Sequence, residues 1–326
     1  MPSTVLQKLK ADCFRISALS LANTNEMLRL LEIYKQQGIL AVPYKGAYLA
    51  NQYYGDFGLR EFSDIDLFVN EEDIDRIKEV MVEEGYKSPY NMSEKQEKWN
   101  RKIDCDYNFD KKDEQGNRLF HVETHYRTTS RCYSIDMRLE SITKNMLMGK
   151  SINTLTNEDH LIFVLTHHGI KESWSILKYI FDIKQILDKG DFDWDKVIHK
   201  TDKYYITPAL KVGISMIETL FSTTAFDKKI AIDDKTKLLA NSMLYKLNHY
   251  EGYTSNLNRH WRGLVYRFSF DKRPHMVINH LTPLILPSKT DFDFLKSPHL
   301  PIPFFYFIRP MRMITEFFKN LILKMN

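Results

Sequence analysis

Cysteine is scarce in this chain: there are three in 326 residues, Cys13, Cys105 and Cys132. The number is odd, the spacings are long, and no Cys-x-x-Cys or Cys/His pattern accompanies them. That argues against a disulfide framework or a zinc cluster and makes a reducing, cytoplasmic setting the default. Long apolar runs are missing as well. No stretch of about 18 uncharged apolar residues occurs, and the nearest approach, Leu300 to Leu323, is interrupted by Arg309, Arg312, Glu316 and Lys319. The opening Met1-Pro-Ser-Thr-Val-Leu-Gln-Lys-Leu-Lys10 has no signal-peptide core. A cytoplasmic protein without a transmembrane segment is the expectation. Charge of one sign is also absent: 46 basic against 42 acidic residues leave +4. With no long basic stripe, nucleic acid is not an expected partner. There are no internal repeats and no low-complexity segments, and 43% hydrophobic with 27% charged residues excludes disorder. Aromatics alone are abundant, at 13% with 18 Tyr and 20 Phe, and core filling is their default use.

Periodicity organises the chain. Residues 23–37 read as an amphipathic helix through Met27, Leu30, Leu31 and Tyr34, with Asn23 and Glu26 as a capping pair and Gly38 as the stop. A short strand, Ile39 to Val42, closes at Pro43, and a short helix runs from Ala47 to Tyr54. Ser63 to Val69 alternates as a strand, with Asp64, Asp66 and Phe68 on one face. Glu72 to Glu84 is a helix, and Pro89 to Asn117 reads as loops or exposed strands such as Ile103 to Phe109. Leu119 to Arg127 is a strand with His121, Glu123 and His125 on one side. Beyond residue 150 the pattern turns helical, from Thr156 to His168, Ser173 to Leu187, 207–221 and 233–248. Pro283 to Pro310 reads as an extended aromatic arm before an amphipathic terminal helix that packs onto the helical part or onto a partner.

Chemistry concentrates between Pro43 and Val69. On a strand, residues i and i+2 lie about 6.6 Å apart on one face, so Asp64 and Asp66 point together while Ile65, Leu67 and Val69 face the core. Two carboxylates without a cation between them raise each other's pKa. A divalent ion removes that conflict, and oxygen ligands suit Mg²⁺, with Mn²⁺ as the alternative. Glu123 is the natural third acid for a two-metal arrangement. An isolated Asp-x-Asp is usually a solvated strand end. Here, however, Lys45-Gly46 follows a strand and opens a helix, a favourable setting for phosphate, and Arg60 lies four residues before Asp64, within reach of a polyphosphate.

This order of elements resembles the nucleotidyltransferase superfamily with a DNA polymerase beta-like core. More narrowly, Gly38-Ile-Leu-Ala-Val-Pro-Tyr-Lys-Gly46, Arg60-Glu-Phe-Ser-Asp-Ile-Asp-Leu-Phe-Val69 and Val122-Glu-Thr-His-Tyr126 resemble the bacterial family of uncharacterised nucleotidyltransferases. Leu165 to Ile183 is similar to that family's His…Trp-x-x-Leu-Lys-x-x-x-Asp helix pair, Asp193-Trp194 to its following Asp-Trp, and Asp291, Leu300 and Ile308-Arg-Pro-Met-Arg312 to its closing segment.

The resemblance implies an α+β fold, a mixed sheet with flanking helices followed by a mainly α-helical domain. The change of pattern near residue 150 and the Pro-punctuated tail divide the chain into a core at 1–150, a helical acceptor domain at 151–282 and a C-terminal arm at 283–326, expected to contact a partner or second subunit. The resemblance implies transfer of a nucleoside monophosphate from a nucleoside triphosphate to an unidentified hydroxyl acceptor on a small molecule, peptide or protein, with release of pyrophosphate. Asp64, Asp66 and Glu123 become metal ligands, and Glu123 also orients or deprotonates the acceptor. Lys45, Gly46, Arg60 and Lys178 become phosphate contacts. His125, one of the adjacent histidines His167 and His168, Trp174 and Asp182 become cleft residues, with Trp174, Lys178 and Asp182 forming one helical stripe at i, i+4, i+8. His121 is left as surface. One departure stands out: Gly46-Ala47 replaces the superfamily's frequent Gly-Ser. An alternative follows from it, a catalytically degenerate nucleotide-binding or interaction protein on the same fold.

Overall fold

The computed structural model describes residues 3–133, 135, 137–224, 226, 229–248, 263–269, 278–279, 281–282 and 285–325. Its core is a four-stranded mixed sheet of β1 (Ala41–Pro43), β2 (Ile65–Val69), β3 (Asp106–Lys112) and β4 (Arg118–His125), in the order β1-β2-β4-β3. β2 runs parallel to β4, and the two outer pairings are antiparallel. The odd residues of β2 face a cluster formed with α1 (Ser3–Gln36) and α3 (Ile74–Glu83): Ile65, Leu67 and Val69 meet Met27, Leu30, Tyr34, Ile77 and Met81. On the opposite face Phe68 packs edge-on against Phe163, 4.8 Å between ring centres, so the helical half covers this end of the sheet.

The helical half comprises α5 (Asn157–Leu165), α6 (Leu177–Lys189), α7 (Trp194–Lys203), α8 (Thr207–Phe221) and α9 (Asp234–Asn248) around a second apolar cluster. Thr156 caps α5, accepting from the Asp159 amide, as its sequence predicts. Two segments wind as π-helix: Ala50–Tyr54, which continues α2 (Gly46–Leu49), and Thr166–Lys171, which continues α5. Such widened turns are uncommon and cluster at functional sites.

Three sequence expectations need correction, and one hairpin lies outside all of them. The first helix begins at Ser3, not Asn23; Asn23 and Glu26 are buried within it, and Glu26 accepts from Arg29 and the Tyr86 hydroxyl. Its first half is mostly exposed and so carries no apolar stripe. The polar region 89–117 contains α4 (Glu94–Ile103), closed by a Ser93/Gln96 capping box. The residues that α4 buries, Gln96 and Asn100, are polar, which hides its periodicity. A hairpin, β5 (Ile142–Leu147) and β6 (Lys150–Leu155), turns on Met148-Gly149, both at positive φ; that is a I′-type turn without the usual Asn-Gly signature.

Finally, the Pro-punctuated arm is helical, as α10 (Lys289–Leu295) and α11 (Ile302–Met325); its first residues, Pro283 and Leu284, lie outside the described residues. Pro303 sits in the first turn of α11, where no amide is needed, and Pro310 is accommodated inside it. Asp291 pairs with Arg309 and Arg312, which clamps α10 to α11. The arm docks on the sheet side. Trp99 of α4 donates Nε1–H to the Pro287 carbonyl at 3.0 Å, and its ring meets Tyr306. Among the described residues no helix is long and apolar enough to cross a membrane.

Candidate active site

Register builds the site. Asp66 pairs with Glu123 across the parallel strands, and β3 sets Asn108 opposite Glu123 and Asp106 opposite His125. Alternation along each strand puts these polar groups on one face of the sheet. His125 ties the acids together: its Nε2 lies 3.1 Å from both Asp66 Oδ1 and Glu123 Oε2. Donor atoms of Asp66, Glu123 and His125 all lie within 4.8 Å of one another, a spacing that fits one metal ion.

Lys45 Nζ sits 2.6 Å from Asp66 Oδ1, and Asp66 is only 3% exposed. Burial pushes the Asp66 carboxyl up, but Lys45 and the His125 bond outweigh it and hold Asp66 below the ordinary range. Asp64 behaves oppositely. It is half-buried one residue before β2, and the neighbouring Asp66 charge, then burial, raise it against the pull of Lys45. The mutual repulsion expected of this acid pair is thus carried by Asp64. Glu123 is held well below its usual range: burial opposes ionisation, but His121, His125 and Lys45 overcome it. His121 is no idle surface group. Its Nδ1 is 2.6 Å from Asp110 and its Nε2 is 3.6 Å from Glu123 Oε1, so it orients that carboxylate.

The Lys45-Gly46 turn is set by packing. Gly46 has φ +51°, and an added Cβ would lie 3.3 Å from the Asp64 carbonyl oxygen and 3.5 Å from the Phe62 ring. The glycine therefore allows the turn to press onto the segment leading into β2. Ala47 points into the apolar cluster beneath. Below the turn, His160 donates from Nε2 to the Tyr44 carbonyl at 2.6 Å and accepts from the Tyr53 hydroxyl at Nδ1; burial pushes its pKa down to about 4. It is a neutral core histidine.

The remaining predicted residues divide into two groups. Arg60 is buried with Nε and Nη2 on the two oxygens of Asp182, at 2.8 and 2.9 Å. Asp182 also accepts from the Tyr54 hydroxyl and lies 2.9 Å from His168 Nε2. Lys178 donates to the Glu61 carbonyl at 3.3 Å beside this cluster, with Asp64 within its electrostatic reach. His167 lies on the π-turn, its Nδ1 2.9 Å from His168 Nδ1, although two adjacent helical residues would ordinarily diverge by about 100°. Trp174 leaves the stripe. α6 starts at Leu177, Ser173 and Trp174 both have positive φ, and the indole, 1% exposed, donates to the Tyr266 hydroxyl. A Cβ on Gly213 would fall 2.6 Å from that ring, so the helix is cut away to admit it. This is the setting of a core residue.

Sequence reasoning missed four further residues. Lys171, the last residue of the π-turn, is within the field of Cys105, Asp106 and Glu123. Asp106 and Asn108 line the adjoining strand, and Lys289 of α10 reaches both, bonding Asn108 at 2.8 Å and pairing with Asp106 and, at 3.2 Å, Asp104. No local pattern marks them, because packing of distant segments brings them here.

Comparison with known proteins identifies the family. The family model described as uncharacterised nucleotidyltransferase matches residues 1–222. No curated protein matches the chain significantly. Among solved structures, a lincosamide antibiotic adenylyltransferase bound to lincomycin is similar at 13% identity over 50% of this chain and 95% of its own, with a TM-score of 0.34. An antigenic nucleotidyltransferase-like protein from Paracoccidioides brasiliensis is similar at 14% identity over 51% of this chain and 75% of its own, also with a TM-score of 0.34.

Proposed function

The chain belongs to the family of uncharacterised nucleotidyltransferases, and from that premise we propose that it transfers a nucleoside monophosphate from an NTP, with Mg²⁺ or Mn²⁺, to a hydroxyl of a small molecule, peptide or protein. The observation that carries this reading is the juxtaposition of Asp66 and Glu123 in register on parallel strands, bridged by His125. In it Asp66 and Glu123 hold the metal with Asp64 alongside. A divalent ion bound there supplies Lewis-acid polarisation of the α-phosphate and charge neutralisation of the leaving pyrophosphate. Lys45, now the counter-ion of Asp66, turns to the triphosphate, with Lys178 and Lys171 as further cations at the rim. Arg60 acts indirectly, holding Asp182. Residues 1–150 then form the catalytic core, 151–282 face the acceptor, and 283–326 are the arm, whose Lys289 braces β3; Phe307 and Met311, exposed along α11, offer a surface for a second subunit or partner.

Burial of Ala47, where relatives often place a phosphate-binding Ser, favours a second reading, a nucleotide-binding protein without turnover. One experiment tests both. Asp66→Asn is expected to abolish Mg²⁺-dependent NTP binding by calorimetry while the circular dichroism spectrum stays intact; undiminished binding refutes the site. Tight binding by the wild type, with no α-labelled product from any of the four NTPs across a panel of hydroxyl acceptors, selects the second reading.

A further inference from the structure

The transfer proposed above, on which this inference rests, needs a group to take the acceptor's proton. Glu123 is poorly placed for that work, since Oε2 accepts from His125 and Oε1 faces His121. The hydrogen-bond network points elsewhere. Ionised Asp182 can only accept, and it is fixed by Arg60 through both oxygens and by the Tyr54 hydroxyl. His168 must therefore donate Nε2–H to it. A neutral His168 then carries its lone pair on Nδ1, and the 2.9 Å contact requires His167 to donate from its own Nδ1. That leaves Nε2 of His167 unprotonated. Among the described residues it has no hydrogen-bond partner, and His167 keeps 9% exposure.

The surroundings suit a neutral base. His167 packs against His168 and Tyr179, and the charged or titratable groups facing it are Lys45, Lys171, His168 and His125. Burial, followed by those groups, holds its pKa well below the ordinary histidine value. Lys45 and His125 are also the groups that touch Asp66, so His167 shares its charged neighbours with the acid cluster.

We propose that His167 is the catalytic base of the transfer and that His168 and Asp182 are positioning residues that fix its tautomer. The acceptor O–H bond breaks and its proton passes to His167 Nε2. The freed electron pair forms the bond to the α-phosphorus, the bond from that phosphorus to the bridging oxygen breaks, and pyrophosphate departs with the pair. The imidazolium keeps Nδ1–H on His168, whose bond to Asp182 compensates its charge until the proton is released to solvent.

The test uses the full chain. Diethyl pyrocarbonate acylates accessible unprotonated imidazole nitrogen, and peptide mass mapping at neutral pH is expected to find His167 modified, His160 and His168 spared, and His167 protected at least tenfold by Mg·ATP or whichever of the four NTPs binds. His167→Gln should bind that Mg·NTP within about twofold of wild type. With water as acceptor it should slow release of α-labelled monophosphate by on the order of 10²-fold or more, and the acidic limb of the pH–rate profile should be lost. His168→Gln, which keeps a donor toward Asp182, should displace that limb rather than remove it, a change that a merely structural role would not produce. A wild type that binds no Mg·NTP removes the site reading and this one with it. A wild type that binds while His167 resists the reagent, or is modified equally with nucleotide present, overturns this inference alone. So does His167→Gln with an unchanged rate and profile.

Discussion

Lys45 offers a direct probe of the metal reading, because it now does the work assigned to the ion. Its ammonium lies 2.6 Å from a carboxylate that is 3% exposed. Lys45→Met keeps the stem and removes the charge. Breaking a buried pair from one side costs about 3–5 kcal/mol, since a charge is left uncompensated. His125 still bonds Asp66 at 3.1 Å, which puts the expected loss at the lower end, about 3 kcal/mol.

Urea unfolding followed by circular dichroism measures that loss, read as a fall in midpoint at constant slope. The pH dependence has a definite sign. Asp66 is depressed in the folded wild type, so its pair contributes stability above the unfolded aspartate pKa and loses it as pH falls through the folded value. The deficit of Lys45→Met should therefore be full near neutrality and shrink below about pH 4 as Asp66 protonates. Millimolar Mg²⁺ should then stabilise the variant more than the wild type. A ligand at about a hundred times its Kd contributes about 2.7 kcal/mol, and in the variant no ammonium competes for Asp66. Equal Mg²⁺ increments in both proteins, or a variant as stable as wild type without metal, would refute the reasoning.

Three further outcomes are expected. His160 is neutral when folded, with a pKa near 4 against an ordinary 6.5, so acidification from pH 6.5 to 4 should cost about 3 kcal/mol of stability; His160→Asn, followed by denaturant midpoints across that range, should flatten the dependence, and an unchanged slope would assign it elsewhere. Gly213→Ala drives a methyl into the Trp174 ring and should lower stability by about 1–3 kcal/mol while Mg·NTP affinity stays within twofold; lost affinity at intact fold would return Trp174 to the cleft. Gly46→Ala combines φ +51° with the 3.3 Å approach to the Asp64 carbonyl and should cost about 1–2 kcal/mol; thermal melting without any shift would show that the turn yields freely.

What could be read in advance follows from how far each signal reaches along the chain. Asp66, Glu123 and His125 were legible because strand alternation is a two-residue rule and the fold supplies only the register between strands. The cap at Thr156 and the stop at Gly38 were legible for the same local reason. Trp174 was misplaced because a helical count from 174 to 182 presumes an unbroken helix, whereas two positive-φ residues interrupt it. α4 escaped because the residues it buries are polar. Lys171 and Lys289 were beyond any local rule: one is presented by a widened turn, the other by an arm that crosses to the far edge of the sheet.

Asp182 shows what such distance means for the chemistry. From the sequence it is a cleft residue on a stripe with Trp174 and Lys178. In the folded chain it joins Arg60 and Tyr54 of the sheet half to His168 of the helical half. A carboxylate with four donors has little freedom left to meet a substrate, but it is well suited to fix an imidazole two bonds away. The bulk charge of +4 gave no hint of this, because three cations around the sheet are each spent on a particular acid: Lys45 on Asp66, Arg60 on Asp182, Lys289 on Asp106. Nucleotide and metal therefore meet an Asp66 that is already paired, and binding there proceeds by exchange of partners. Mg·NTP affinity should accordingly respond more strongly to removal of Lys45, which can change partners at the mouth of the site, than to removal of Lys289, whose three neighbours on β3 and its approach hold it in the sheet.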